Sequence, residues 1–228
     1  MSSTPIATSA PTATALERMK ASLFSPSTRQ KLLAFASLMG LMIFFSFASP
    51  SFLQMDNIVG ILQATAVNGV LAIACTFVII TGGIDLSVGT LMTFCSVMAG
   101  VFLTYWGLPF PVGVAAAIFF GALSGFISGL LIAKLKIPPF IATLGMMLLL
   151  KGLSLVISGT KPIYFNDTPE FPSISQDSLI GDLLPSLPIP NAVLILFLVA
   201  IVCSLILNKT VLGSYTFALG SNEEAVRL

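Results

Sequence analysis

Six apolar runs set the terms for this chain. A helix that crosses a bilayer needs roughly 20 consecutive, mostly apolar residues, and residues 32–49, 57–80, 86–106, 112–133, 140–158 and 192–207 meet or approach that length. The breaks between them fall where helices naturally end. Ser49-Pro50-Ser51 follows the first run, Gly82-Gly83 the second, Gly107 to Pro111 the third, and Pro138-Pro139 precedes the fifth. Proline removes a backbone donor and glycine loosens the helix, so both punctuate such runs. Composition agrees. Soluble domains carry about 25% charged residues; this chain carries 8%, with 56% hydrophobic residues and a mean hydropathy of +1.03. The expected fold is an all-α, polytopic transmembrane bundle of about six spans, with the lipid bilayer as its main partner.

The same composition excludes several functions. A net charge of +1 gives no footprint for nucleic acid. There is no histidine, so metal sites lose their commonest ligand and proton relays their commonest carrier near neutral pH. Cys75, Cys95 and Cys203 lie inside apolar runs without metal-ligand spacing and read as small buried hydrophobes. No catalytic residue, metal site or cofactor is implied. A glycine-lysine phosphate loop is absent too, so any ATP hydrolysis belongs to a separate subunit.

Basic residues set the expected orientation. With a cytoplasmic N-terminus, cytoplasmic positions hold eight of the ten Lys and Arg residues, including Arg18, Lys20, Lys134, Lys136 and Lys209. The outer loops hold only Lys161, and Lys151 lies within a span. Three regions follow. Residues 1–31, rich in Ser, Thr, Ala and Pro, read as a disordered cytoplasmic arm. Residues 32–207 form the transmembrane domain, with an outer loop at 159–190. Residues 208–228 form a cytoplasmic segment. The outer loop, polar and proline-rich, reads as solvated chain or as a docking surface for an extracytoplasmic partner.

Two ionisable groups sit in the apolar region, where their cost makes each a functional candidate. Asp85 lies in TGGIDLSVG (81–89). One reading is local: the glycines end one helix and Asp85 caps the next. The other is a broken-helix element lining a pathway, with Asp85 and Ser87 as pathway residues. Lys151 interrupts a run of leucines past the middle of the fifth span. Its ammonium snorkels outward or pairs within the bundle. Gly121, Gly125 and Gly129, with Ser124 and Ser128 beside them, form a small-residue stripe suited to close helix approach.

After Lys209 the chain re-enters water. Gly220 breaks it, and Ser221 with Glu224 has the spacing of a capping box. Glu223 stands four residues before Arg227, the favourable order for a helical ion pair. A short helix is therefore expected from Ser221, with Ala225, Val226 and Leu228 as its apolar face.

Three segments, TGGIDLSVG (81–89), PFIATLGMMLLLKG (139–152) and ALGSNEEAVRL (218–228), together resemble ribose-type permeases. These are the membrane subunits of ATP-binding-cassette importers for simple sugars, and the likeness runs from about residue 52 to the last residue. It implies a transport subunit, not an enzyme, in a bacterial inner membrane, with ribose or another pentose favoured as substrate. It implies three kinds of partner: a separate ATPase subunit, a periplasmic or lipoprotein sugar-binding protein, and a second permease copy, identical or paired. In this family the ATPase docks on the segment that here carries Gly220, Ser221, Asn222, Glu223, Glu224, Ala225 and Arg227. Family members also continue into further spans related to the earlier ones by an inverted repeat, so residues 1–228 are expected to lack part of that domain. An ion-coupled secondary transporter or channel is the alternative, resting on Asp85.

Overall fold

The computed structural model describes residues 26–185 and 187–222, and every regular element among them is helical. The helices are α1 (Pro26–Ala48), α2 (Met55–Ile80), α3 (Val88–Gly100), α4 (Phe110–Ala133), α5 (Pro139–Ile157), α6 (Glu170–Gln176), α7 (Leu179–Leu183), α8 (Asn191–Lys209) and α9 (Val211–Ser221). Six are long and apolar enough to cross a membrane, α3 together with the π-helical turn Val101–Tyr105 that continues it. They match the six apolar runs, and the chain is a multi-pass membrane protein. Helix α1 starts at Pro26, ahead of the apolar run, so Arg29 and Lys31 ride on its first turns.

The chain divides into two units, 1–58 and 59–228. In the first, α1 ends in a turn closed by Ser49 N–H donating to the Phe45 carbonyl (3.0 Å) and Phe52 N–H to the Ser49 carbonyl (3.1 Å). Phe45 and Phe52 pack with ring centroids 5.8 Å apart.

In the second unit, α3 packs against both α4 and α5. Phe94 and Met98 of α3 meet Met146 and Leu150 of α5 in a buried cluster, joined by Phe120 of α4. Phe94 and Phe120 sit edge to face at 6.0 Å, a geometry the ring quadrupole favours. Small residues let the backbones approach. The Leu103 side chain occupies the space a Cβ on Gly113 would need, and Cys95 Sγ would lie 3.1 Å from a Cβ on Gly121. Of the expected glycine stripe, only Gly121 is used this way. Gly125 and Gly129 have nothing within 4 Å, whereas Ser124 and Ser128 are buried. The packed face of α4 is one step round the helix from its glycines.

The segment between α5 and α8 is folded. Helix α7 is capped by Ser178, whose Oγ accepts from Gly181 N–H (2.8 Å) and donates to the Ile189 carbonyl (2.6 Å). The Asn191 side chain accepts from Leu179 N–H (2.9 Å), and Asn191 N–H donates to the Asp177 carbonyl (2.7 Å), tying the segment to the start of α8. Upstream, Thr104 Oγ1 donates to the Tyr164 carbonyl (3.2 Å), and the missing side chain of Gly100 makes room for Ile163. This is where α3 passes into its π turn. Such turns interrupt regular packing and often mark functional positions.

Candidate functional site

Helix α2 ends in a complete glycine cap. Gly82 takes a left-handed conformation (φ 77°), its N–H donating to the Ile79 carbonyl (2.9 Å), and Gly83 N–H donates to the Val78 carbonyl (2.9 Å). That paired arrangement satisfies carbonyls that would otherwise be orphaned at the helix end, and the left-handed position favours glycine. Gly83 is wedged in place: a Cβ there would lie 3.0 Å from Val78 Cγ1 and 3.7 Å from Pro139 Cβ, at the start of α5.

The next residues tie this turn to α5 and α3. Thr143 Oγ1, buried on α5, reaches the Ile84 carbonyl at 3.1 Å and the Pro139 carbonyl of its own helix at 2.8 Å. One hydroxyl proton serves both. Asp85 Oδ1 accepts from Ser87 N–H (2.7 Å) and from Ser87 Oγ (2.6 Å). The Ser87 carbonyl then accepts from Leu91 N–H (2.8 Å), opening α3. A carboxylate two residues ahead of a helix start, holding the backbone N–H of the capping residue, fixes where that helix begins. The local reading of Asp85 is modified: Ser87, not Asp85, is the N-cap of α3 and makes no side-chain capping bond, and Asp85 holds Ser87 just ahead of the helix. Asp85 also borders a cavity of about 310 Å³ whose other walls, among them Leu71, Val78, Leu91 and Cys95, are apolar. Ser87 is buried, with its hydroxyl engaged by Asp85.

The segment after Lys209 differs from its expected form. Gly220 does not break a helix; it lies inside α9, and Ser221 is the last residue of that helix rather than the first of another. The reason lies in what Gly220 touches. A Cβ there would collide with the Ile80 carbonyl at the end of α2, so glycine is what lets the two backbones meet. Asn222 follows as the C-cap, its N–H donating to the Ala218 carbonyl (3.0 Å). Glu223, Glu224, Ala225 and Arg227 lie outside the described residues. The tight bend into α9 also depends on glycine. A Cβ on Gly213 would strike the Leu207 carbonyl of α8, and Thr210 caps the new helix by accepting from Gly213 N–H (3.3 Å).

Residues chosen for different reasons thus meet at one junction: the end of α9 at Gly220 touches Ile80, and Ile80 leads through Gly82 and Gly83 to Asp85 and Ser87. A cavity of about 440 Å³ lies beside it, lined by Thr81, Gly83, Lys136, Pro138, Pro139 and Leu219 among others. Thr143, Pro139 and Gly213 were not among the expected site residues. Pro139 reads in one dimension only as a helix start, and Thr143 and Gly213 as ordinary residues of their segments; their contacts appear only when a second helix end is brought beside them.

Lys151 stands apart. It is exposed on α5, and among the described residues no hydrogen bond or ion pair engages it. Thr143, eight residues earlier, is level with Ile84, so Lys151 lies about 12 Å further along the helix axis. A pair with Asp85 does not form.

Comparison with known proteins bears on these same segments. The family described as branched-chain amino acid transport system / permease component matches residues 57–228. A ribose import permease of Haemophilus influenzae is 37% identical over 198 residues, covering 86% of this chain and 59% of its own length. A fructose import permease of Rhizobium meliloti is 39% identical over 173 residues, covering 74% of this chain and 47% of its own length. A galactofuranose transporter permease of Escherichia coli is 35% identical over 169 residues, with the same two shares. The chain therefore spans about half to three-fifths of the length of the curated relatives it matches. No solved structure matches it.

Proposed function

The chain belongs to the branched-chain amino acid transport system / permease component family, and from that premise we propose that it supplies membrane spans to the permease of an ATP-driven sugar importer in a bacterial inner membrane. The carrying observation is that relatives named for sugar import align across 74% to 86% of this chain. Ribose is the favoured substrate, on the relatives named for it. The chain acts as a transport component, and ATP hydrolysis is carried by a partner ATPase. A sugar-binding protein delivers substrate from outside, and two permease copies enclose the path.

The N-terminus lies in the cytoplasm, supported by the eight-to-one distribution of basic residues. Helix α9 then faces the cytoplasm, where Val211, Leu212, Tyr215 and Phe217 are exposed apolar side chains available to a partner. We assign the segment from α9 through Arg227 to ATPase docking. Gly220 against Ile80 is the contact by which a push on α9 reaches the glycine turn, and through Asp85 and Ser87 the start of α3.

The test uses the complete importer, with ATPase and binding protein, in vesicles. ATP-dependent ribose uptake is expected. Gly220→Val should insert normally but lose most stimulation of ATP hydrolysis by ribose-loaded binding protein. Uptake driven by an ion gradient without the ATPase would establish the secondary-transporter alternative instead. Single cysteines at Asp177 and Ser221, in a cysteine-free background, check orientation: an impermeant thiol reagent should label the first in intact cells and miss the second.

A further inference from the structure

Between the middle of α3 and the C-terminal end of α5 lies a cleft of about 560 Å³, within the range of about 300–1,000 Å³ usual for small-molecule sites. Thr93 and Ser96 of α3 line one wall, Ser154 and Ser158 of α5 another, and Lys161 and Phe165 stand on the outer segment. The outer wall is anchored, since Ile163 fits against Gly100 and Thr104 Oγ1 holds the Tyr164 carbonyl. The Phe165 ring is fixed by stacking on Phe171, with centroids 4.7 Å apart.

Ser96 makes this cleft informative. It is the ninth of the eighteen residues in its span, about 12 Å from the span's start, and so close to the middle of a hydrocarbon layer of about 30 Å. Its side chain is exposed and has no hydrogen-bond partner among the described residues. Beside it, Thr93 Oγ1 donates to the Gly89 carbonyl (3.2 Å), and Ser154 Oγ to the Leu150 carbonyl (2.7 Å). Those two have spent their protons yet still present acceptor lone pairs. An open hydroxyl at mid-membrane depth, among others that can accept, is costly against lipid and favourable against water or a polar solute.

We infer that this cleft is a water-filled binding site for a neutral polyhydroxylated solute, a monosaccharide, within the transport path. This deepens the importer reading and rests on it. The lining decides the chemical class. A sugar hydroxyl both donates and accepts, matching a wall of serine and threonine, and its C–H face can lie on Phe165. A zwitterionic amino acid would need an anionic partner for its ammonium, and no carboxylate lines the cleft.

The experiment introduces Ser96→Cys, and separately Thr93→Cys, into the complete importer with Cys75, Cys95 and Cys203 replaced by alanine. Ile118→Cys, on an exposed apolar position of α4, serves as the lipid-facing control. A charged methanethiosulfonate reagent should modify both cleft cysteines and leave the control unmodified. D-ribose should slow that modification severalfold, and L-leucine should not. The inference is overturned if both cleft cysteines are as inert as Ile118→Cys, which would mean a lipid-filled or copy-covered face. It is equally overturned if D-ribose gives no protection, or if L-leucine protects as well. ATP-driven ribose uptake by the cysteine-free importer is measured alongside. If uptake is intact while labelling fails, the cleft assignment falls and the importer reading stands; without such uptake the importer reading falls, and this inference with it.

Discussion

Helix α3, continued by its π turn, and helix α8 are both long enough to cross a membrane, yet they are used in opposite ways. Helix α8 is the most apolar of the six spans by hydropathy, and only 6% of its apolar stretch is buried. Helix α3 with its π turn is among the least apolar, and 33% of that stretch is buried. In water the more apolar helix would be the more buried. In lipid the surroundings are as apolar as leucine, so hydrophobicity gives no drive for helices to meet; close packing and polar contacts do. Helix α3 carries Cys95, Ala99 and Gly100 where neighbours approach, and α4 answers with Gly113 and Gly121. Helix α8 leaves Phe197, Leu198, Ile201 and Leu205 exposed, and its Leu196 enters the space left by Gly69 of α2. Depth of packing follows the small residues, not the greasy ones.

The contrast can be broken first at α4. Gly113→Val places carbon atoms where the buried Leu103 side chain already sits, and should exceed the usual overpacking cost of about 1–3 kcal/mol. Little folded protein should survive detergent extraction, measured by size-exclusion profile. Gly125→Val, on the same helix but with nothing within 4 Å, should extract like the parent. Equal behaviour of the two would refute the close-packing account.

Next, Leu150→Ala empties a position that is 2% exposed in the α3–α5 cluster, with an expected loss of about 2–5 kcal/mol. Leu198→Ala on α8, 62% exposed, should leave the thermal midpoint in detergent nearly unchanged. If the α8 variant loses as much, burial is not what separates the two helices.

A smaller effect is expected at the junction. Thr143→Val removes the hydroxyl shared between Ile84 and Pro139 and should cost about 1 kcal/mol. Hydrogen exchange at residues 81–87 should quicken, with the α3–α5 cluster largely unaffected. The smallest change is expected from Lys151→Met, because no described residue pairs with the ammonium. Its thermal midpoint should match the parent. A clear loss on heating would show a partner supplied from outside the described residues.

Much of this was legible in one dimension. The six spans follow from run length, since lipid forces each crossing into a helix whose backbone satisfies itself. Their ends follow from Pro and Gly, and the place of Asp85 between a glycine turn and an apolar run marks it as a local turn residue, although Ser87 rather than Asp85 is the N-cap. The segment after Lys209 was legible in part. Its glycine was recognised, but Gly220 reads alone as a helix breaker, and its use as a gap for the Ile80 carbonyl depends on a residue 140 positions earlier.

The sequence by itself therefore determined the six membrane-length helices among the described residues and the turns that separate them, because those depend on hydropathy and on hydrogen bonds within a few residues. Only the tertiary structure decided which small residues touch, which hydroxyls stay unpaired, and that the end of α9 rests on the end of α2. Between apolar helices in an apolar solvent, pairing is set by shape at each contact, and shape is a property of two surfaces together.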